Sequence, residues 1–278
     1  TQLEYCIGAV QGSNVILHNL KVFNSSVRGV SVFNSTALID GLTVDKTVST
    51  SIVVRGSHVR VEGEVNFSNT IEGCMVVDGT SSVFSKNAVI TARDCMAGII
   101  VQTNSSFLGP FGTLNLNHNT FVGLALISHG SFSYGGTINA KNNTQAGIFV
   151  DEESSFAPFS NLLGSSSVNL ENNGMANLYL ARRSTAELAN ANTSTGSTYG
   201  VYVDDSSVRI VHSKISGNKK SDLRLQFGAH ATLADGAVIG NSSCDGSQLL
   251  RGAKTPCTVD AVAMPSVAKP AAGKSEGH

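Results

Sequence analysis

The sequence predicts an all-β fold, a right-handed parallel β-helix solenoid of about ten coils with three short strands each. Three observations predict it. A Gly-led alternating motif recurs down the chain, Ser residues recur beside it at intervals of mostly 22 to 24, and no stretch carries a 3.6-residue apolar face.

The motif runs Gly, apolar, any, apolar, two variable residues, then Ser or Thr. It reads GVSVFNS at Gly29, GCMVVDG at Gly73, GIIVQTN at Gly98, GLALISHG at Gly123, GIFVDEES at Gly147, NLYLARRS at Asn177 and GVYVDDS at Gly200. SIVVRGS at Ser51 and DLRLQFG at Asp222 are variants without the Gly. A second alternating stretch follows each motif, as in STALIDGLTV from Ser35 and SSVRIVHSKI from Ser206. Ser35, Ser57, Ser81, Ser105, Ser154, Ser184 and Ser206 each stand two residues before an apolar residue. Each unit therefore offers about three period-2 segments bounded by Ser, Thr, Asn and Gly corners. A propeller blade needs roughly twice this period.

Composition agrees. Charged residues make up 14% and aromatics 6%, with 28 Gly, 5 Pro and no Trp, which suits short strands and tight turns. A net charge of −1 supplies no general attraction for nucleic acid or anionic lipid, so no nucleic-acid partner is expected. No apolar run approaches the ~18 residues of a membrane span. Thr1 is not an initiator Met, and a removed signal peptide with a secreted or cell-surface location is the expectation.

On these motifs the chain resembles the right-handed parallel β-helix superfamily, the pectate-lyase-like repeat group, from about Gln2 to Cys257. That group includes polysaccharide lyases, glycoside hydrolases, uronan epimerases, tailspikes, adhesins and non-catalytic surface proteins. The resemblance implies the fold, and it implies that any catalytic groups would line the outward face of one sheet. No enzyme signature of the group is present in order. Polygalacturonases carry Asn-Thr-Asp, Asp-Asp, Gly-His-Gly and Arg-Ile-Lys; here His129-Gly130 precedes Asp204-Asp205, with Ser128 before the His. The Asp-Pro-His-Glu signature of uronan epimerases is missing.

Stacking assigns sides to residues, because equivalent positions in successive coils lie ~4.8 Å apart and form ladders. Val30, Val32, Ile99, Val101, Ile148, Val150, Val201 and Val203 are expected inward. Phe107, Phe132 and Phe156 should form an internal stack, and Asn69, Asn119, Asn142, Asn172 and Asn218 a corner ladder. Between the inward residues of the Gly-led strand, the expected outward ladder is Ser31, Val53, Met75, Ile100, Ala125, Phe149, Tyr179, Tyr202 and Arg224. Phe149, Tyr179 and Tyr202 are its candidate interface or sugar-stacking residues, unless the insertion around Phe159 to Ser166 covers them.

Beside that stripe lies the best polar constellation for catalysis. Asp151, Glu152 and Glu153 end one strand, Arg182 and Arg183 the next, Asp204 and Asp205 the one after. Stacked, they read as a carboxylate–guanidinium–carboxylate column, either an ion-pair ladder or an acid–base site on a uronate polymer.

Of the five cysteines, Cys74 reads as a small buried hydrophobe, Cys95 as a corner residue and Cys6 as part of the first coil. Cys244 and Cys257 bracket the loop CDGSQLLRGAKTPC and are expected to form a disulfide closing the last coil. The seven His are scattered singly, so no metal site is expected, and calcium enters only with the lyase alternative. The seven Asn-X-Ser/Thr sequons follow from composition. Residues 258–278 read as a flexible tail rich in Ala, Pro and Gly, after a solenoid domain of residues 1–257. The chain enters the repeat without a capping helix, so either upstream sequence or another chain is expected over the first coil.

Two functions follow. The first is a non-catalytic extracellular β-helix for structure, adhesion or end-to-end, fibre-like assembly, self-associating through coil ends or the outward apolar stripe. The second is a polysaccharide-active lyase, hydrolase or epimerase using the Asp151–Arg182–Asp204 region.

Overall fold

A computed structural model describes residues 5–158, 166–245, 249–251 and 258–259. The fold is all-β, 71% strand, and its strands stack in parallel as a β-solenoid of about ten turns. Three sheets run along it. The first carries the Gly-led strands, among them Arg28–Phe33, Thr50–Arg55, Val122–Leu126, Ala146–Val150, Ala176–Leu180, Tyr199–Asp204 and Ser221–Gln226. The second includes Ser131–Tyr134, Ser155–Pro158, Thr185–Ala189 and Ser207–Val211; the third includes Thr137–Lys141, Ser167–Glu171, Ala191–Ser194 and Lys214–Ser216.

Alternation decides the core. The eight aliphatic residues expected inward are each at most 1% exposed. In the second sheet Phe107, Phe132 and Phe156 are in register and stacked, with centroids 5.2 and 5.6 Å apart and planes within 17° and 13°. Buried Tyr134 packs against them. It fits because Gly109, Gly112 and Gly136 surround it; a Cβ at these positions would come within 2.5, 2.9 and 2.8 Å of its ring or hydroxyl.

The corners are held by side chains that accept hydrogen bonds from the preceding turn. The Ser35 backbone N–H donates to Ser57 Oγ, Ser57 to Ser81 and Ser81 to Ser105, all at 3.1–3.2 Å. Ser184 and Ser206 repeat the contact at 3.0 Å. These are the periodic serines of the sequence, buried where the first sheet turns into the second.

Asn119 and Asn218 stand in the corner ladder as expected, but the other three residues expected there stand one position before it. Asn69, Asn142 and Asn172 are exposed residues with positive φ of 54–57°, a conformation Asn tolerates. The ladder itself is built by the next position, with buried Asn119, Asn143 and Asn173. Asn143 Oδ1 accepts both the backbone N–H and the Nδ2–H of Asn119 at 3.0 Å, and Asn173 Oδ1 does the same for Asn143. Through Asn177 the chain of amides reaches Asn218, which donates to the buried Asp222 carboxylate at 2.8 and 3.0 Å. All donors point the same way, so the carboxylate stands where the aligned amide dipoles leave positive charge.

The same corner contains a second departure. Cys95 occupies the ladder position, in register with Thr70, and its N–H donates to Asn119 Oδ1. It is not a lone thiol, and Cys74 is not a free hydrophobe. The two are joined by a disulfide between adjacent turns, with Cα atoms 5.8 Å apart. Cys6 is free and exposed. Cys244 is buried, but its expected partner Cys257 lies outside the described residues. So do residues 159–165 of the insertion and 260–278 of the tail; Thr258–Val259 pairs with Ser243–Cys244 in the first sheet. Among the described residues, no helix is long and apolar enough to cross a membrane.

Candidate functional site

The outer face of the first sheet brings a ladder of aromatic side chains beside a row of paired charged ones. Its central ladder runs Ser31, Val53, Val76, Ile100, Ala125, Phe149, Tyr179, Tyr202, Arg224. Met75, expected in this ladder, points inward and is fully buried; Val76 takes the outward place. The leading position of this strand, equivalent to Gly29, Ser51 and Gly98, is taken by Cys74 rather than Gly73, which sets Met75 in register with inward Ile52 and Ile99.

Ser31 and Val53 are covered, and from Val76 onward the ladder is partly exposed except at Ala125. Ala97, Val122, Ala125 and Ala146 form a small apolar cluster separate from the core, with Ile100, Phe149 and Tyr179 packed on it. Phe149 and Tyr179 lie 5.3 Å apart, Tyr179 and Tyr202 4.8 Å apart and near-parallel, and Tyr199 stacks on Tyr202 at 5.1 Å. Tyr179 and Tyr202 therefore stack face to face along the solenoid axis, Tyr199 stacks on Tyr202 from the same strand, and Phe149 meets Tyr179 at 41°. Burial pushes the Tyr179 hydroxyl up to about 12, with Asp204 and Asp151 adding to it, and raises Tyr202 for the same leading reason. Both hydroxyls remain hydrogen-bond donors across the ordinary pH range.

The charged column stands on the edge where each first-sheet strand ends. Glu152, Glu153, Arg182 and Arg183 all have positive φ, from 48° to 61°, because these corners use two successive left-handed residues. Thr103-Asn104 and Ser128-His129 turn in the same way, and the extra residue is one source of the longer repeat intervals. Arg182 reaches back to the preceding turn. Its Nε donates to Asp151 Oδ1 at 2.6 Å, a second nitrogen to Asp151 Oδ2, and a third lies 2.9 Å from Glu152. Arg183 pairs with Glu153 at 2.5 Å, and His129 lies 3.3 Å from the same carboxylate. The Asp151 hydrogen bonds raise the Arg182 pKa further. Asp151 is 3% exposed beneath that guanidinium.

Asp204 and Asp205 are not drawn into the column. Among the described residues no cation pairs with either, so the expected three-member column is a two-member one. Ala181 separates Asp151 from Asp204 on the edge, and the two carboxylates are two turns, ~10 Å, apart. Burial raises the Asp204 pKa against a Gln226 hydrogen bond, and Asp205, Asp245 and Asp151 add to the rise. Asp78, on the same edge, ends in the opposite state: burial alone would raise it, but hydrogen bonds from Thr103 and Arg55 outweigh that and hold it low. The difference is the supply of donors.

A pH dependence follows. A carboxyl whose folded pKa is raised supplies stability below its ordinary value of ~3.9, lost as pH rises through the folded value. Asp204→Asn is therefore expected to melt at or above the wild-type temperature at neutral pH, with the difference vanishing in acid. A lower melting temperature for the variant at neutral pH, measured by circular dichroism, would contradict the assignment.

No family model matches this chain, and no curated protein does. Its reading therefore rests on the face itself. Tyr199 and Asp245 belong to that face and were not singled out by periodicity. Tyr199 precedes Tyr202 by three residues across Gly200, and Asp245 follows Asp204 and Gln226 in register, so counting rungs would have found both. Among the described residues, no group of three or more His, Cys, Asp or Glu is placed to hold a metal ion.

Proposed function

We propose that this chain is a non-catalytic extracellular β-solenoid for structure, adhesion or assembly, working through the outer face of its first sheet. One observation carries the reading: Asp151 lies buried under a bidentate Arg182, so the strongest catalytic pair is already closed on itself beside a partly exposed aromatic ladder. A general base needs an oxygen open to a proton donor, and Asp151 offers none. The Cys74–Cys95 disulfide supports an oxidising compartment outside the cytoplasm. Stacking of coil ends belongs to the same reading as a second route of assembly.

The polysaccharide-enzyme alternative has one observation in its favour. The Asp204 pKa is raised while Asp151 is ion-paired with Arg182, a contrast of the kind inverting glycosidases use between their two carboxyls, although ~10 Å lies just beyond the ~6.5–9.5 Å separation those enzymes keep. Calcium belongs to the lyase form of that alternative alone. The test is a panel of uronic-acid polymers and neutral glycans, followed by absorbance for unsaturated products and by reducing ends. Silence across the panel is expected. Turnover lost in Asp204→Asn and in Arg182→Ala would replace this reading with the enzymatic one, since acid–base groups contribute ~10²–10⁴-fold.

A further inference from the structure

We propose that two copies of this chain pair through the first-sheet face side by side and in the same direction, about a twofold axis parallel to the solenoid axis. The inference rests on the contact-face reading above and names its partner: a second copy. The observation behind it is the charge on the two edges of the face. Asp204 and Asp205 stand without a cation partner, among the described residues, where the strand Tyr199–Asp204 ends. On the opposite edge, Lys219 and Lys220 are exposed and, among the described residues, form no ion pair. Their backbone N–H groups donate to Ser197 and Thr198 at 2.9 Å, which fixes the lysines one turn beyond the corner that leads into Tyr199.

A twofold axis along the solenoid exchanges the two edges and keeps the height of every turn. It brings Asp204 and Asp205 of one copy opposite Lys219 and Lys220 of the other, offset by about one ~4.8 Å turn, within reach of a lysine side chain. Lower on the face, the edge holding Met96 and Phe121, 40% and 44% exposed, meets the edge of Gln102 and Ile127. Between these levels, Gln145 and Met175 meet the Asp151–Arg182 pair, which is already neutral. An antiparallel pair would set each edge against itself and leave the lysines without acids. The face from Val76 to Arg224 covers seven turns of ~4.8 Å and about five residues of width, roughly 500 Å² per copy. Twice that is about 1,000 Å², the lower bound of a specific interface, so the pair should be reversible and sensitive to salt.

Sedimentation velocity on the full chain tests the pairing. The wild type is expected to dimerise with concentration. Asp204→Lys with Asp205→Lys, and separately Lys219→Asp with Lys220→Asp, should each weaken the dimer by at least ~10-fold. An equimolar mixture of the two variants should restore it as a heterodimer, which also shows that both are folded. In a Cys6→Ser background, Ile100→Cys and Tyr202→Cys should each cross-link to their own copy, because the central ladder lies along the twofold in every turn. A strictly monomeric wild type overturns the pairing and leaves the contact-face reading to be judged on other ligands. A dimer indifferent to the charge reversals but lost in Tyr179→Lys overturns this arrangement and keeps the face. A dimer indifferent to all of these changes sinks both.

Discussion

Asn143→Ala is expected to lower the unfolding free energy by about 4 kcal/mol, the largest effect of any single substitution considered. Four hydrogen bonds leave with the side chain: two from Asn119, one to Asn173 Oδ1 and one to the Leu116 carbonyl. The Asn119 N–H and the Leu116 carbonyl are then buried without partners, at ~1–3 kcal/mol each, and a small void adds to this. The neighbouring Asn142→Gly is the control. Asn142 is exposed with φ of 57°, where Gly is unstrained, so that change should be near neutral. Chemical denaturation of the two variants measures the contrast. Equal losses would mean that the buried amides do not act as the ladder described.

Removing the disulfide with Cys74→Ala and Cys95→Ala should cost about 3 kcal/mol, the chain-entropy value for a loop of this size. The residues are 21 apart in sequence and fully buried in adjacent turns. Because a solenoid is stabilised by nearest-neighbour contacts, the loss should concentrate in the turns between about Val54 and Val101. Hydrogen exchange read by mass spectrometry resolves it: faster exchange there, with the turns around Leu178 and Val201 unchanged. Uniform acceleration along the whole chain would contradict the local account.

Most of the fold was legible because solenoid stacking turns a local alternation into a register. Inward positions such as Val30 and Ile148, and the serines before each second strand, repeat often enough that their sides are determined. The parts that were not legible have physical reasons. Cys74-Met75-Val76-Val77 alternates acceptably in either phase, and Gly73 imitates the leading Gly of the motif, so only the partner strands show that Cys74 leads and Met75 points inward. Asn142-Asn143 and Asn172-Asn173 offer two equivalent amides, and only the packing shows that the second of each pair is the ladder. The Cys74–Cys95 bridge joins a residue read as core to one read as corner, and nothing in their spacing distinguishes it from two thiols. The charged column was visible as a set of residues, but whether Arg182 turns back to Asp151 or forward to Asp204 is a rotamer choice that periodicity does not carry.

The central claim is that the outer face of the first sheet is the working surface of this solenoid. Retention of the chain on immobilised copies of itself and on insoluble glycans tests it, with one lysine introduced per sheet: Tyr179→Lys on the first, Leu108→Lys on the second and Asn169→Lys on the third. Circular dichroism confirms that each variant is folded. The account predicts that retention is lost in Tyr179→Lys alone. Retention that survives Tyr179→Lys but fails in Leu108→Lys or Asn169→Lys would contradict it.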